Sequence, residues 1–244
     1  MYGFARMLNG FLTRHHYFDV VVAFDQGRGT FRHKLFADYK AQRTTLPPQL
    51  LTQLQPARAF LQASGIQYFE LPDYEADDIL MALAGQASGR GYNVDILSGD
   101  RDLLQAISPT TRVLVPVHGL SDFKTIDEAA FLHQYHFRPA LLPDYKALVG
   151  DSSDNFKGVI GIGPVMAQKL VTNHGSLENI MTERDAIPTR IQRLLTQQQQ
   201  AARRCKQMAT LVRDINLNYQ FRPLRLNKVG QNHFFAQYNF RRLV

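Results

Sequence analysis

Eight carboxylates in four short clusters are the residues of this chain best suited to chemistry: Asp25, then Glu75, Asp77 and Asp78, then Asp100 and Asp102, and finally Asp151 and Asp154. Asp25 follows the apolar run Val20–Phe24, Glu75 to Asp78 open a helical pattern, Asp100 and Asp102 follow Val94–Ser98, and the last pair lies in a Gly-Asp-Ser-Ser-Asp-Asn loop. Each cluster also admits a structural role, because acids in a first helical turn complement the macrodipole and loop aspartates cap helices or close turns. Gathered at adjoining strand ends, however, so many carboxylates repel one another unless something cationic lies between them. Mg²⁺ or Mn²⁺ meets that need, since hard divalent ions prefer oxygen ligands where His and Cys are few. Two such ions roughly 3.5–4 Å apart bind both the attacking water and the leaving oxygen of a phosphodiester, so no side-chain nucleophile is required. The sequence carries no Gly-x-Ser-x-Gly elbow, no Walker loop and no His-Glu-x-x-His, and its eight histidines share no ligand spacing. Cys205 is the single cysteine, which excludes a disulfide framework and a Cys-rich zinc site; it reads as an incidental helix residue.

The surroundings of these acids are basic. Lys and Arg number 28 against 21 Asp and Glu, giving +7, even though eight of the acids are concentrated in the four clusters. A basic body favours polyanionic partners, because neutralising phosphates releases condensed counterions. No apolar run approaches the roughly 18 residues of a membrane helix, and the first residues do not form a signal-peptide pattern. The expectation is a cytoplasmic protein without a membrane partner. A hydrophobic content of 45% is ample for a buried core.

The elements that must position the acids alternate. Tyr2 to Arg14 has helical spacing; Val20–Phe24 reads as a buried strand; helices are predicted at Gln49–Ser64 and Tyr74–Ala87; strands at Ile66–Leu71, Val94–Leu97 and Val113–Val117; and a short helix at Asp102–Ile107. Such alternation predicts an α/β fold, a mostly parallel central sheet flanked by helices, whose ligand sites lie at the carboxyl ends of the strands. From Ile126 the pattern turns helical, with a boundary near residue 145 and a polar helix over Ile187–Val212 whose Gln197–Gln200 tract reads as a solvated face.

Several motifs, in this order, resemble the 5′-3′ exonuclease domains of bacterial DNA polymerase I and their free-standing relatives, kin to the flap endonucleases. They are Ala23-Phe24-Asp25, Thr30-Phe31-Arg32-His33-Lys34 with Asp38-Tyr39-Lys40-Ala41-Gln42-Arg43, Glu75-Ala76-Asp77-Asp78, Gly99-Asp100-Arg101-Asp102, Gly150-Asp151-Ser152-Ser153-Asp154-Asn155 and Gly158-Val159-Ile160-Gly161-Ile162-Gly163. The resemblance implies a PIN-like nuclease core over residues 1–145 with a basic helical arch at about 27–48, and a helical DNA-binding region over 146–244. Asp25, Glu75 and Asp77 resemble ligands of a first metal ion, Asp100, Asp102, Asp151 and Asp154 those of a second, with Asp78 nearby. In the arch, Lys40 and Arg32, with Arg43, are expected to bind and polarise the scissile phosphate, and Tyr39 to stack on an unpaired base. The glycines Gly158, Gly161 and Gly163 resemble a helix-hairpin-helix-type motif at about 156–175, where backbone N–H groups meet a phosphate, with Lys169 as a further contact. The family often holds a potassium ion there.

The resemblance also implies a preceding strand ending in an Asp-Gly-Asn-type motif, about 25 to 30 residues before the helix at Tyr2 on average element lengths. On that expectation the first metal lacks a ligand and the sheet has unpaired edges. Phe234-Phe235-Ala236-Gln237-Tyr238-Asn239-Phe240 resembles the close of the nuclease domain, so a stand-alone monomeric nuclease is expected. The leading reading is a two-metal 5′ nuclease that removes flaps or RNA primers from branched or 5′-flapped DNA in replication or repair. Two other readings are weighed against it. A catalytically impaired module that only binds branched DNA explains the basic groove; a Mg²⁺ phosphatase explains the acids but neither the arch nor the glycine motif.

Overall fold

The computed structural model describes residues 1–243 apart from 28, 45–46, 119–121, 184–186 and 241–242, and only the backbone of His118. Helix α1 (Tyr2–Arg14) is followed by strand β1 (Val21–Ala23), two short helices α2 (Phe31–Leu35) and α3 (Pro48–Leu51), helix α4 (Leu54–Ser64) and strand β2 (Gln67–Phe69). Then come α5 (Ala76–Gly89), β3 (Val94–Leu97), a 3₁₀ turn at Arg101–Ala106, β4 (Thr111–His118) and β5 (Asp122–Ile126). The second half is helical: α6 (Glu128–Tyr135), a 3₁₀ turn at Pro139–Leu141, α7 (Leu142–Val149), α8 (Pro164–His174), α9 (Leu177–Thr182), α10 (Thr189–Gln197), α11 (Gln199–Ala209) and α12 (Lys228–Gln237). The predicted α/β class is present, with parallel pairing of β1 with β2 and of β3 with β4.

Three features differ from the sequence reading. Among the described residues the expected central sheet is divided in two, one part of β1 and β2 and one in the order β3, β4, β5. Strand β5, antiparallel to β4, was not expected; Asp122-Phe123-Lys124-Thr125-Ile126 lacks an apolar run because its residues are mostly exposed or half-buried. The long polar helix over 187–212 is broken at Gln198 into α10 and α11.

The two sheets run the same way. Tyr17, just before β1, donates to Asp95 at 2.6 Å, and the rings of Phe18 and Tyr92 stack with centroids 5.4 Å apart, so the starts of β1 and β3 lie together. Between the strands lies an apolar cavity of about 450 Å³, lined also by Leu8 and Phe11 of α1 and Leu83 and Ala84 of α5. Among the described residues, β1 pairs only with β2 and β3 only with β4, neither having a strand partner on the side facing this cavity. Because both strands end at the same side, the loops after them deliver Asp25 and Asp100 to one place.

The core below the second carboxylate set is built from Leu103 and Leu104 of the 3₁₀ turn, Ala147 and Leu148 of α7, and Ala167, Leu170 and Val171 of α8. Helix α7 ends where Gly150, at φ 81°, turns the chain back. Its backbone interlocks with Gly158: a Cβ on Gly158 would lie 2.3 Å from the Leu148 carbonyl oxygen and 2.4 Å from the Gly150 nitrogen. Val159 N–H donates to the Leu148 carbonyl at 2.8 Å and closes the same crossing. Gly158→Ala is therefore expected to cost about 1–3 kcal/mol of stability through overpacking. Urea denaturation measures it, and an unchanged midpoint would show that the crossing yields easily.

Candidate metal centre

Each acid is placed by a local backbone device. Asp25, exposed after β1, accepts the Ala76 N–H at 2.7 Å and so holds the start of α5. Glu75 is the N-cap of α5 in a reciprocal capping box with Asp78, whose carboxylate accepts the Glu75 N–H at 3.1 Å. Asp100 caps the 3₁₀ turn by accepting the Asp102 N–H at 2.9 Å. Asp151 folds its own loop, accepting from Ser153 N–H at 2.8 Å while its backbone pairs with Phe156. The structural roles that the sequence allowed for Asp25, Glu75, Asp78, Asp100 and Asp151 are thus real, and they aim the carboxylates.

The acids gather in two sets. In one, Asp102, Asp151 and Asp154 offer ligand oxygens that all lie within 4.8 Å of one another, the sole group of three or more such donors among the described residues. In the other, Asp77 is pushed up to about 7 by burial and then by the negative charges of Asp100 and Asp25. Asp100, expected with the second metal, therefore sits electrostatically with Asp25 and Asp77. The two sets are joined by Tyr39, whose hydroxyl donates to Glu75 at 2.9 Å and lies 3.2 Å from Asp154. Lys40 lies between them as well: its ammonium donates to Glu75 at 2.7 Å, and its charge partly offsets the upward shift that burial gives the carboxyls of both Asp77 and Asp154.

Asp77 carries a pH signature. Its folded-state value near 7 lies above the ordinary 3.8, so the folded chain holds the proton more tightly than the unfolded one. The stability penalty is absent below about pH 4, grows as pH rises and is complete above about pH 7. Metal-free protein is accordingly expected to lose stability from pH 4.5 to 8 by a component that Asp77→Asn removes. Denaturation in EDTA at the two pH values reads it; an equal loss in the variant would mean that other groups carry it.

Three expected site residues behave differently. Arg32, expected at the scissile phosphate, is 1% exposed. Its guanidinium forks onto Asp78 at 2.6 and 2.8 Å, reaches Glu75 at 3.2 Å, and donates to the carbonyls of Met208 at 2.8 Å and Thr210 at 2.9 Å. Asp78, fully buried, is correspondingly taken up by Arg32 and by the Val212 N–H and has no lone pair turned to a metal. Tyr39, expected to stack on a base, is 2% exposed and spends its hydroxyl on the carboxylates. The reason is common to all three: an array of buried acids demands neutralising donors, and the nearest basic motif supplies them.

Nor is the segment expected as a helical arch one helix among the described residues. It comprises α2, turns over 37–43 and α3, with Arg28, Thr45 and Leu46 outside the described residues. Its middle is laid against the Asp151–Asn155 loop: Lys40 N–H donates to the Asp154 carbonyl at 3.1 Å, Asn155 to the Asp38 carbonyl at 2.8 Å, and Arg43 to the Asp154 carboxylate at 2.8 Å. Lys40 adopts φ 53°, and its ammonium lies 4.8 Å from the Tyr39 ring centroid.

Two residues were missed. Lys146, on α7, donates to Asp102 and, at 2.5 Å, to Asp151. Its one sequence signal is a lone lysine on a short helix five residues before Asp151, which is too common to single out. Gln198, from the tract read as solvated, receives the Ile160 N–H at 2.8 Å and donates to the Ile160 carbonyl at 3.0 Å, so it clasps the glycine loop. In that loop Gly161 has φ 99° and is tight against Leu194, whereas Gly163 has open space where a side chain would be and precedes α8. Lys169 is exposed on α8.

Two family models match consecutive parts of this chain: "5′-3′ exonuclease, N-terminal resolvase-like domain" over residues 1–136 and "5′-3′ exonuclease, C-terminal SAM fold" over 137–232. The chain belongs to the 5′-3′ exonuclease family. Among curated relatives, DNA polymerase I of Bacillus caldotenax is 39% identical over 215 residues, covering 88% of this chain and 24% of the polymerase. The 5′-3′ exonuclease of Aquifex aeolicus is 38% identical over 181 residues, covering 74% of this chain and 61% of that protein. The chain thus spans about a quarter of the polymerases it matches. Of solved structures, the phage T5 flap endonuclease in complex with DNA and metal ions superposes with a TM-score of 0.72 at 19% identity, covering 85% of this chain and 79% of that one. The catalytic core of Rad2 with a DNA substrate superposes at 0.63 and 13% identity, covering 99% and 83%. At these identities the two structures show that the fold is shared, including the helical second half.

Proposed function

We propose that this exonuclease-family chain hydrolyses DNA phosphodiesters near 5′ ends, on branched or 5′-flapped and RNA-primed duplexes, with two divalent cations. The observation that carries the reading is the convergence of seven carboxylates from four segments into two adjoining sets beneath a basic segment. Membership of the family and the fold shared with a flap endonuclease crystallised with DNA and metal ions support it.

The donor set fits Mg²⁺ or Mn²⁺: all oxygen, anionic, and without His or Cys among the grouped residues. Asp102, Asp151 and Asp154 would hold one ion, and Asp25, Glu75, Asp77 and Asp100 the other. When bound, such ions supply an activated water and stabilise charge on the leaving oxygen. The chain's residues do the rest. Arg32 and Tyr39 fix Glu75 and Asp78 from behind, Lys40 and Arg43 offer cationic charge at the mouth, and the start of α8 with Gly163 and Lys169 holds duplex backbone at a distance. A potassium ion would lie in the groove lined by residues from Val149 to Ile162, beside the glycine loop. Among the described residues no helix is long and apolar enough to cross a membrane, and we assign the protein to the cytoplasm as a monomer in replication or repair.

Purified protein with a 5′-flap duplex and Mg²⁺ is expected to release the flap, and EDTA to stop it. Flap retention in a mobility shift with Ca²⁺ but no turnover in Mg²⁺ or Mn²⁺ would instead favour a binding module. Lys40→Ala is expected to slow the single-turnover step on the order of 10²–10³-fold, because its charge lies between the two carboxylate sets. An unchanged rate would remove Lys40 from the chemistry.

A further inference from the structure

The two carboxylate sets are not neutralised alike. Among the described residues, no Lys or Arg forms an ion pair with Asp25, Asp77 or Asp100, and Asp77 feels their mutual repulsion; in this set only Glu75 is paired, with Arg32 at 3.2 Å and Lys40 at 2.7 Å. The other set already holds a cation of the chain's own. Lys146 is 14% exposed in its side chain and rises from α7, whose neighbours Ala147 and Leu148 are wholly buried, so its ammonium is brought to the acids by a packed helix. That ammonium touches both Asp102 and Asp151. Lys40 and Arg43 also meet acids, but they come from a turn segment on the surface, and Arg43 is half exposed.

Resting on the metal-dependent reading, we propose that Lys146 is the resident cation of the Asp102, Asp151 and Asp154 set, so that a divalent ion enters there only by displacing the lysine from Asp102 and Asp151. Two consequences follow from charge alone. The Asp25, Asp77 and Asp100 set, where Lys40 pairs with Glu75 alone and no ammonium bridges two of the acids, is the tight ion site. The Lys146 set is the weak one, filled when a DNA phosphate arrives to take up the displaced ammonium, for an ammonium pairs as readily with a phosphate oxygen as with a carboxylate. Lys146 is a positioning residue in this scheme: it keeps the carboxylates together before the ion arrives and sets the ion's affinity by competition.

The test is Mn²⁺ binding by calorimetry to the native protein, Lys146→Met, Lys146→Arg and Asp151→Asn, without DNA. Native protein is expected to show one tight and one weak Mn²⁺. In Lys146→Met the weak ion should tighten at least tenfold with the tight one unchanged, Lys146→Arg should stay as weak as native, and Asp151→Asn should lose the weak ion. In native protein labelled with ¹⁵N-lysine, the Lys146 ammonium signal should move as Mg²⁺ fills the weak site. Equal or weaker binding by a folded Lys146→Met, or a lysine signal indifferent to Mg²⁺ at saturation, overturns the proposal. Should Lys146→Met not fold, the lysine signal alone decides. Absence of Mn²⁺ binding in the native protein would instead defeat the metal-dependent reading itself.

Discussion

Asp102→Asn is expected to lower flap cleavage in a single turnover by on the order of 10²–10³-fold or more, while binding of the same flap in Ca²⁺ stays near native. The substitution keeps the size of a side chain that is 12% exposed and removes one negative charge from the set of three carboxylates. The backbone device beside it is untouched, because it is the Asp102 N–H, not its side chain, that Asp100 accepts. The residues proposed to contact phosphate are Lys40, Arg43, Lys146 and the start of α8, and Asp102 itself is not among them, so affinity is expected to hold. A variant that cuts at the native rate would show that Asp102 holds no ion needed for the reaction, and one that loses both cutting and binding would show that the charge serves DNA or folding.

Arg32→Met is expected to lose about 3–5 kcal/mol of folding stability, the cost of leaving a buried carboxylate without its partner. Asp78 has no exposure at all, and the Arg32 fork is its principal neutraliser. The same guanidinium ties the tail to the centre through the Met208 and Thr210 carbonyls, which would be left unsatisfied. Arg32→Lys is expected to rescue little, since one ammonium cannot reproduce the fork. Urea midpoints measure the loss. A variant of native stability that cleaves slowly would restore Arg32 to the phosphate, where the sequence alone had set it.

What the sequence could show depended on which physical signal each residue leaves. The carboxylates were legible because strands β1 and β3 are apolar runs with acids directly after them, and such ends converge in a parallel α/β fold. Glu75 and Asp78 were legible as helix-opening acids for the same reason. The roles of the cations were not. Arg32, Lys40 and Arg43 share one basic stretch and one chemistry, and no local pattern tells that the first is drawn inward to Asp78 while the last stays at the surface. Lys146 and Gln198 act across 44 and 38 positions of chain, and such pairings arise from the packing of α7 and from the break between α10 and α11. Strand β5 escaped because its residues face solvent more than core, and the division of the sheet in two follows from pairing that no single strand's composition encodes.

Diffraction from crystals soaked in Mn²⁺ at high concentration, recorded at the manganese edge, addresses the convergence of charge most directly. Two anomalous peaks are expected, one against the oxygens of Asp102, Asp151 and Asp154 and one against Asp25, Asp77 and Asp100, with Lys146 withdrawn from the first. Manganese found only away from these carboxylates, with Lys40, Arg43 and Lys146 still seated on them, would contradict it.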